Sequence, residues 1–145
     1  MVVQVDGEET IKGKEYYKIV VVVSGIPGWN PTTHYLRYSS QGIFRVSAEH
    51  KEKPECLEIP LPLHVGAAWT ADCPDGETSY RAEGIETVYL LERKHENCLK
   101  ITWNREKESM VERGTMYFAP GVGEVRGTLS VGNLTMDYVL EKYRH

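Results

Sequence analysis

A glycine-rich stretch at residues 117–127, with the sequence YFAPGVGEVRG, is the first candidate for chemistry. Its three glycines could cradle a phosphate, and Arg126 stands beside them. A dinucleotide-binding loop, however, needs G-x-G-x-x-G between a strand and a helix, because the helix N-terminus meets the pyrophosphate. Here the spacing is G-x-G-x-x-x-G, and Leu129 and Val131 continue at the period of a strand. Because Pro120-Gly121 suits the centre of a type II turn, we predict a corner between two strands.

Histidines and carboxylates are present, but their spacing matches no known site. The five histidines form neither HxH nor HExxH, which argues against a local metal site. The acidic turn at residues 72–77 could offer oxygen ligands to calcium, yet it lacks EF-hand spacing, and acidic turn residues are usually just solvated. No Gly-x-Ser-x-Gly elbow occurs. We therefore predict no catalytic residue, no metal ligand and no cofactor.

A hydrolase with an unrecognised acid/base site is the alternative to a non-enzymatic protein. It requires at least two acid or base side chains within hydrogen-bond reach of one another in a pocket. The candidates for such a site are His34, His64, Asp72, Asp75, Glu83 and Glu86.

The three cysteines, Cys56, Cys73 and Cys98, contain no CxxC pair, so a zinc site is poorly supported. Three buried thiols are the simpler interpretation. One disulfide with one free thiol is the alternative in an oxidising compartment. For Cys73, beside Pro74, we expect a packed or disulfide-bonded cysteine rather than a nucleophile.

Aromatic residues give the remaining functional hint. Nine tyrosines and three tryptophans are many for 145 residues. Tyrosines on a curved sheet can line an amphipathic cleft, although packing against strand faces is the commoner role. Trp29 lies in the loop sequence SGIPGWNPTTH, where an exposed aromatic side chain would suit binding. The predicted ligand-binding residues are Trp29, Tyr35, Tyr38 and Tyr117.

The elements that must position these residues are strands, because the dominant hydrophobic period is two. Residues 16–23 are apolar on both faces and read as a central strand. Gly132-Asn133 predicts a hairpin with a primed turn, and Asp6-Gly7 and Gln41-Gly42 predict further turns. The predicted strands are residues 16–23, 34–39, 42–48, 67–71, 78–83, 85–92, 99–103, 109–118, 123–131 and 134–140.

This pattern predicts an all-β, antiparallel protein, with residues 1–145 forming one domain. We expect a strongly curved sheet or open barrel, with a two-sheet β-sandwich as the alternative. Weak matches suggest a duplication of residues 1–48 in residues 78–131, with residues 56–69 as an extended, edge-like crossover. Gly7 matches Gly84, Lys18-Ile19 matches Lys100-Ile101, and Arg45 matches Arg126. A chance likeness between β-rich segments is the alternative.

Five segments carry a resemblance to a known group: GEETIKGKEYYKI, YLRYSSQGIF, IPLPLHVGAAW, YFAPGVGEVR and MDYVLEKY. Together they resemble uncharacterised bacterial extracytoplasmic β-domains, many of them described as putative lipoproteins. The resemblance implies a periplasmic or membrane-associated location and no established activity. The signal peptide and lipobox cysteine of such proteins are not seen in this chain, so a cytosolic location stays open.

Charge excludes one class of partner. The chain carries 17 basic and 21 acidic residues, a net charge of −4, and no basic stripe, which argues against nucleic-acid binding. We expect a non-enzymatic exported or envelope-associated binding or scaffold module, tethered to a membrane in its precursor. Its partner would be a small amphipathic ligand or another protein. An interaction protein that acts through exposed sheet edges is a further alternative.

Overall fold

The strands of this chain belong to two antiparallel sheets. The computed structural model describes residues 2–23, 27–28, 30–74, 76–107 and 109–140. Within these residues the fold is all-β, and the one helical segment is a 3₁₀ turn at Ala48–His50. Neither sheet closes into a barrel within the described residues. The prediction of an all-β, antiparallel fold is confirmed, and the division into two sheets agrees with the two-sheet alternative.

Both sheets keep their strands in chain order, so each is a simple meander. The first contains β1 (Val2–Ile11), β2 (Lys14–Val22), β3 (Thr32–Ser39), β4 (Gly42–Ser47) and β5 (Cys56–Pro60). The second contains β6 (Ala68–Cys73), β7 (Gly76–Tyr89), β8 (Lys94–Lys107), β9 (Met110–Ala119), β10 (Gly123–Val131) and β11 (Leu134–Val139).

The chain divides into two compact units. Unit 1 comprises Met1–Pro62, Ala71–Asp75 and Leu140–His145, and it holds the first sheet. Unit 2 comprises Leu63–Thr70 and Gly76–Val139, and it holds β7 to β11 with the start of β6. The expectation of a single domain with an internal duplication stays a prediction.

Turn chemistry explains where most hairpins lie. The turn between β9 and β10 is the predicted type II corner, because Gly121 has φ 72° and the Val122 amide donates to the Ala119 carbonyl at 3.1 Å. Gly132 has φ 60° in the predicted hairpin between β10 and β11. The glycine-rich stretch at residues 117–127 is therefore a strand, a corner and a strand.

The first hairpin differs from the sequence-based prediction. Its turn is Lys12-Gly13, where both residues have positive φ, as a primed two-residue turn requires. Asp6-Gly7 is not a turn but lies within β1, where the register shifts between Val5 and Glu8. Gly7, with φ 85°, supplies the conformation for this bulge, and a bulge uses the same residue type as a turn.

Two further strand predictions are corrected or refined by the structure. Residues 78–83 and 85–92 were predicted as separate strands, but β7 continues across Gly84 with a bulge. A bulge interrupts the alternation of side chains without ending the strand. The crossover at residues 56–69 contains β5, which lies at an edge of its sheet as the prolines indicated.

The two central strands β2 and β8 bury apolar side chains on both faces. In β2, Tyr16 and Ile19 are buried, and in β8 Cys98 and Ile101 are fully buried. The members of each pair are three residues apart, so they point to opposite faces of their sheets. Burial of an aliphatic side chain of this kind contributes about 1.5–3 kcal/mol.

The hairpins β1–β2 and β7–β8 share a register. Val5 pairs with Ile19, and the residues 77 and 82 positions further on, Ala82 and Ile101, also pair. Each hairpin then has a register shift next to this pair. These offsets are the ones that relate the sequence matches, so one set of equivalent positions describes both units.

A disulfide joins Cys56 to Cys73 within unit 1. Their Cα atoms are 5.3 Å apart, within the usual range for a disulfide. Cys98 is a free, buried thiol, so the simpler interpretation of three thiols was wrong. Cysteines 17 residues apart in sequence become neighbours only through the fold, which is why the spacing did not reveal the pair.

Candidate functional site

The candidate site is a groove on one face of β7 to β10 in unit 2. Two rows of paired residues cross these strands at right angles. One row is Ser79, Asn104, Arg113 and Ser130, and the other is Arg81, Thr102, Thr115 and Thr128. Because paired residues lie on the same face and alternate residues of a strand share a face, all eight side chains project from one surface, the groove face.

The groove holds about 480 Å³ and is open to solvent. Its lining includes both rows and Glu83. Tyr80, Trp103 and Gly114 also border it, but as strand neighbours of row residues they contribute main chain from the opposite face. The Trp103 ring lies over Gly114 on that opposite face, where a Cβ atom on residue 114 would be 2.4 Å from the ring.

Charge in the groove is partly compensated. Glu83 accepts a 2.8 Å hydrogen bond from the Thr102 hydroxyl, and the Arg81 Nε lies 3.9 Å from the same carboxylate. Arg113 is flanked across the strands by neutral Asn104 and Ser130. Among the described residues, no carboxylate forms an ion pair with Arg113. Its guanidinium is therefore available to an anionic group of a ligand.

The equivalent positions of unit 1 do not have this chemistry. Gln4, Val20 and Thr33 pair with one another 77, 82 and 82 residues before Arg81, Thr102 and Thr115. Val22, in β2, is likewise equivalent to Asn104. The same strand arrangement therefore forms with valines in place of Thr102 and Asn104. Since the fold does not require polar residues there, the polar rows in unit 2 call for another explanation.

A second polar cluster, centred on Glu55, lies in unit 1. The Glu55 carboxylate accepts a bidentate pair of hydrogen bonds from Arg37, at 2.5 and 3.1 Å. It also accepts from the Tyr16 hydroxyl at 2.5 Å and from Lys14 at 3.0 Å. Burial by itself would raise the pKa of Glu55, but these hydrogen bonds outweigh it and lower the pKa from 4.5 to about 2.

The Glu55 cluster is an anchor for a loop rather than a reactive centre. A carboxylate with so low a pKa remains ionised and cannot donate a proton near neutral pH. In the same loop, Lys51 pairs with Glu9 at 3.1 Å and lies 4.8 Å from the centre of the Tyr35 ring. The loop between β4 and β5 therefore covers Tyr16 and Tyr35.

The four predicted ligand-binding residues have different environments. Trp29 lies outside the described residues. Tyr35 is buried, whereas Tyr38 is 41% exposed and makes an edge contact with Tyr17. Tyr117 is half-buried on the groove face, two residues beyond Thr115 in β9. Of these four residues, Tyr117 alone lies on the sheet that carries the groove. Their role in ligand binding stays a prediction.

The residues suggested for a hydrolase site are divided between the units. His34 and Asp72 belong to unit 1, and His64, Glu83 and Glu86 belong to unit 2. Glu83 is engaged with Thr102, and Glu86 lies 3.7 Å from the Lys100 ammonium. Asp75 lies outside the described residues.

Metal and thiol chemistry find little support. Within the described ranges, no three His, Cys, Asp or Glu residues are grouped so as to hold a metal ion. Burial raises the pKa of the Cys98 thiol, which keeps it protonated and unreactive. Cys73 is disulfide-bonded, as expected in preference to a nucleophile.

Sequence reasoning missed the groove. Its residues alternate with core residues, as in the segments SYRAE and KITWN, and were taken for the solvated face of ordinary strands. The available signal was the concentration of hydroxyl, amide and guanidinium groups at the outward positions of neighbouring strands. Recognising it required the register, which aligns residues that are 13 to 25 positions apart in sequence.

Comparisons with protein families, curated proteins and solved structures find no match to this chain. The resemblance to bacterial extracytoplasmic β-domains therefore stays a prediction. The structure contains no helix, in the part of the chain that it describes, that is long and apolar enough to cross a membrane.

Proposed function

We propose that this chain is a non-enzymatic, exported binding module and that the groove on β7 to β10 is its ligand-binding site. The observation that carries the proposal is the 480 Å³ groove lined by polar side chains. A site for a polar ligand needs several hydrogen-bonding groups that converge on one surface, and the two rows provide them. The valines at equivalent positions of unit 1 show that these groups are not a structural necessity.

The disulfide supports export. Stable disulfides form in oxidising compartments such as the periplasm or the extracellular space, and they are rare in the cytosol. The Cys56–Cys73 pair is thus in keeping with an envelope or secreted location. A tether in the precursor remains part of this proposal.

The polar lining changes the expected ligand. The tyrosine content suggested an amphipathic molecule, but the groove presents hydroxyl, amide and guanidinium groups. Such groups suit a ligand with many hydrogen-bonding atoms. The acid/base alternative is less favoured, because Glu83 and Glu86 already have polar partners. Action through sheet edges stays a prediction without further support.

The test is to fill the groove and compare it with its equivalent in unit 1. Thr115→Trp places a large ring in the middle of the groove, and Thr33→Trp makes the same change 82 residues earlier. Backbone NMR spectra would be recorded with a panel of neutral oligosaccharides, acidic oligosaccharides, nucleotides and short peptides. We expect at least one panel member to shift amide signals of β7 to β10 in the wild type and in Thr33→Trp, but not in Thr115→Trp.

Two results would overturn the proposal. One is a panel in which no compound shifts the groove amides. The other is a set of shifts that persists unchanged in Thr115→Trp while its circular dichroism matches that of the wild type. Either result would leave the groove as an ordinary solvated sheet face.

A further inference from the structure

The span of the groove indicates a ligand longer than one small molecule. Each row crosses four strands, and neighbouring strands in a sheet lie about 4.8 Å apart, so a row extends over about 14 Å. The groove is open to solvent rather than enclosed. An extended oligomer could therefore lie along the rows and continue past their ends.

The lining chemistry favours a hydroxylated chain. Ser79, Thr102, Thr115, Thr128 and Ser130 each present a hydroxyl group that can both donate and accept. Such groups complement ligand hydroxyls, which also donate and accept. A peptide would present main-chain groups and apolar side chains, for which this face offers few apolar contacts.

The charges on the groove face favour an acidic chain over a neutral one. The cations are Arg81, Lys100, Arg113 and Arg126, and the anions are Glu83, Glu86 and Asp137. This surplus of positive charge occurs in a chain whose net charge is −4. Arg113 has neutral neighbours across both strands, and a guanidinium can bind a carboxylate through two parallel hydrogen bonds.

We propose that the groove binds an acidic polysaccharide, a hydroxylated chain bearing carboxylates, with Arg113 as the residue that recognises the carboxylate. This inference rests on the proposed function and narrows it to one ligand class. The sugar hydroxyls contact the Ser and Thr rows, and one carboxylate of the chain pairs with the Arg113 guanidinium.

The experiment compares three probes on the wild-type chain by calorimetry and NMR at low salt. Trigalacturonate carries both hydroxyls and carboxylates, maltotriose carries hydroxyls alone, and tricarballylate carries carboxylates without a sugar chain. We expect trigalacturonate to bind at least about tenfold more tightly than either control, since about 1.4 kcal/mol corresponds to a tenfold change in affinity. Its affinity should also fall as salt is added, because the ion pair is exposed to solvent.

Variants separate this inference from the proposed function. Arg113→Gln keeps hydrogen-bonding capacity but removes the charge, and it should weaken trigalacturonate binding about tenfold without affecting maltotriose. Lys94→Gln, at an exposed ion pair outside the groove lining, is the matched loss of one positive charge and should have little effect.

The outcomes are distinguishable. Equal binding of maltotriose and trigalacturonate on the groove amides would refute the acidic inference and leave the proposed function standing. Tightest binding by tricarballylate would refute the requirement for a sugar chain. Absence of binding by all three probes would also refute the inference, and the wider panel with Thr115→Trp would then decide the proposed function separately.

Discussion

Units 1 and 2 carry an equivalent cluster of side chains and treat it differently. In unit 1, Ile11, Tyr16 and Tyr35 pack together. In unit 2, Val88, Cys98 and Tyr117, which lie 77, 82 and 82 residues further on, belong to one cluster. The shared offsets show that the same positions form the cluster in both sheets.

The difference lies in what accompanies each cluster. In unit 1, the loop between β4 and β5 covers it through the Glu55 and Lys51 contacts. In unit 2, β10 is followed by a two-residue hairpin to β11, so no corresponding loop follows it. The face of unit 2 then continues into the polar rows of the groove. One strand arrangement therefore serves as a covered face in unit 1 and as an open polar face in unit 2.

The largest expected effect concerns the cross-link that is found in unit 1. The double variant Cys56→Ala/Cys73→Ala should lower the free energy of unfolding by about 3 kcal/mol, because the disulfide restricts the unfolded chain. Urea denaturation without reductant measures the change. Wild type in excess reductant should behave like the variant, and an unchanged midpoint under those conditions would contradict the expectation.

Removal of the Glu55 charge should release the loop that covers the unit 1 cluster. Glu55→Gln is expected to cost on the order of 2 kcal/mol, since one pKa unit corresponds to about 1.4 kcal/mol and slight exposure reduces the total. Denaturant unfolding at pH 7 measures it. Glu52→Gln, in the same loop but 69% exposed, is the matched control and should be nearly neutral.

The same carboxylate sets a pH dependence with a defined sign. Because the pKa of Glu55 is lowered from 4.5 to about 2, its contribution is complete above pH 4.5 and is lost as the pH falls toward 2. Stability of the wild type should therefore decline through this range more steeply than that of Glu55→Gln. Parallel acid profiles for the two proteins would exclude the ionised anchor.

Unit 2 should be more sensitive at the glycine beneath its tryptophan. Gly114→Ala would place a Cβ atom 2.4 Å from the Trp103 ring, and such overpacking typically costs about 1–3 kcal/mol. Gly84→Ala is the matched control, because nothing lies within 4 Å of its added Cβ atom. Thermal unfolding followed by circular dichroism compares them, and equal melting temperatures would show that Trp103 moves aside without cost.

The smallest expected effect tests whether the groove residues matter to the fold. Arg81→Gln introduces the residue that unit 1 has at the equivalent position, Gln4. The Arg81 side chain is 64% exposed, so the stability change should stay within about 0.5 kcal/mol. A loss above about 1 kcal/mol would mean that the polar rows stabilise the sheet, which would weaken the contrast between the units.

Local patterns were sufficient to predict the strands and the type II corner. Period-two alternation located the central strand β2, and Pro120-Gly121 specified its turn through the φ preferences of two adjacent residues. The Asp6-Gly7 prediction failed because glycine permits a bulge as well as a turn. In these cases the information lies within a few residues, and so do the errors.

The groove and the disulfide could not be predicted in this way. Thr102, Thr115 and Thr128 form a row only because three strands pair in one register. On any single strand, each threonine is an ordinary outward-facing residue. Cys56 and Cys73 likewise meet through tertiary structure, since no rule of spacing brings residues 17 positions apart together.

The disulfide has a consequence for how the chain responds to proteases. Cys56 and Cys73 flank a segment in which Leu61 and Val65 are exposed. A protease that cuts the main chain within this segment leaves the two fragments joined through sulfur. The nicked protein would migrate as one species on a non-reducing gel and as two on a reducing gel. Covalent continuity of this molecule therefore survives cleavage between its two halves.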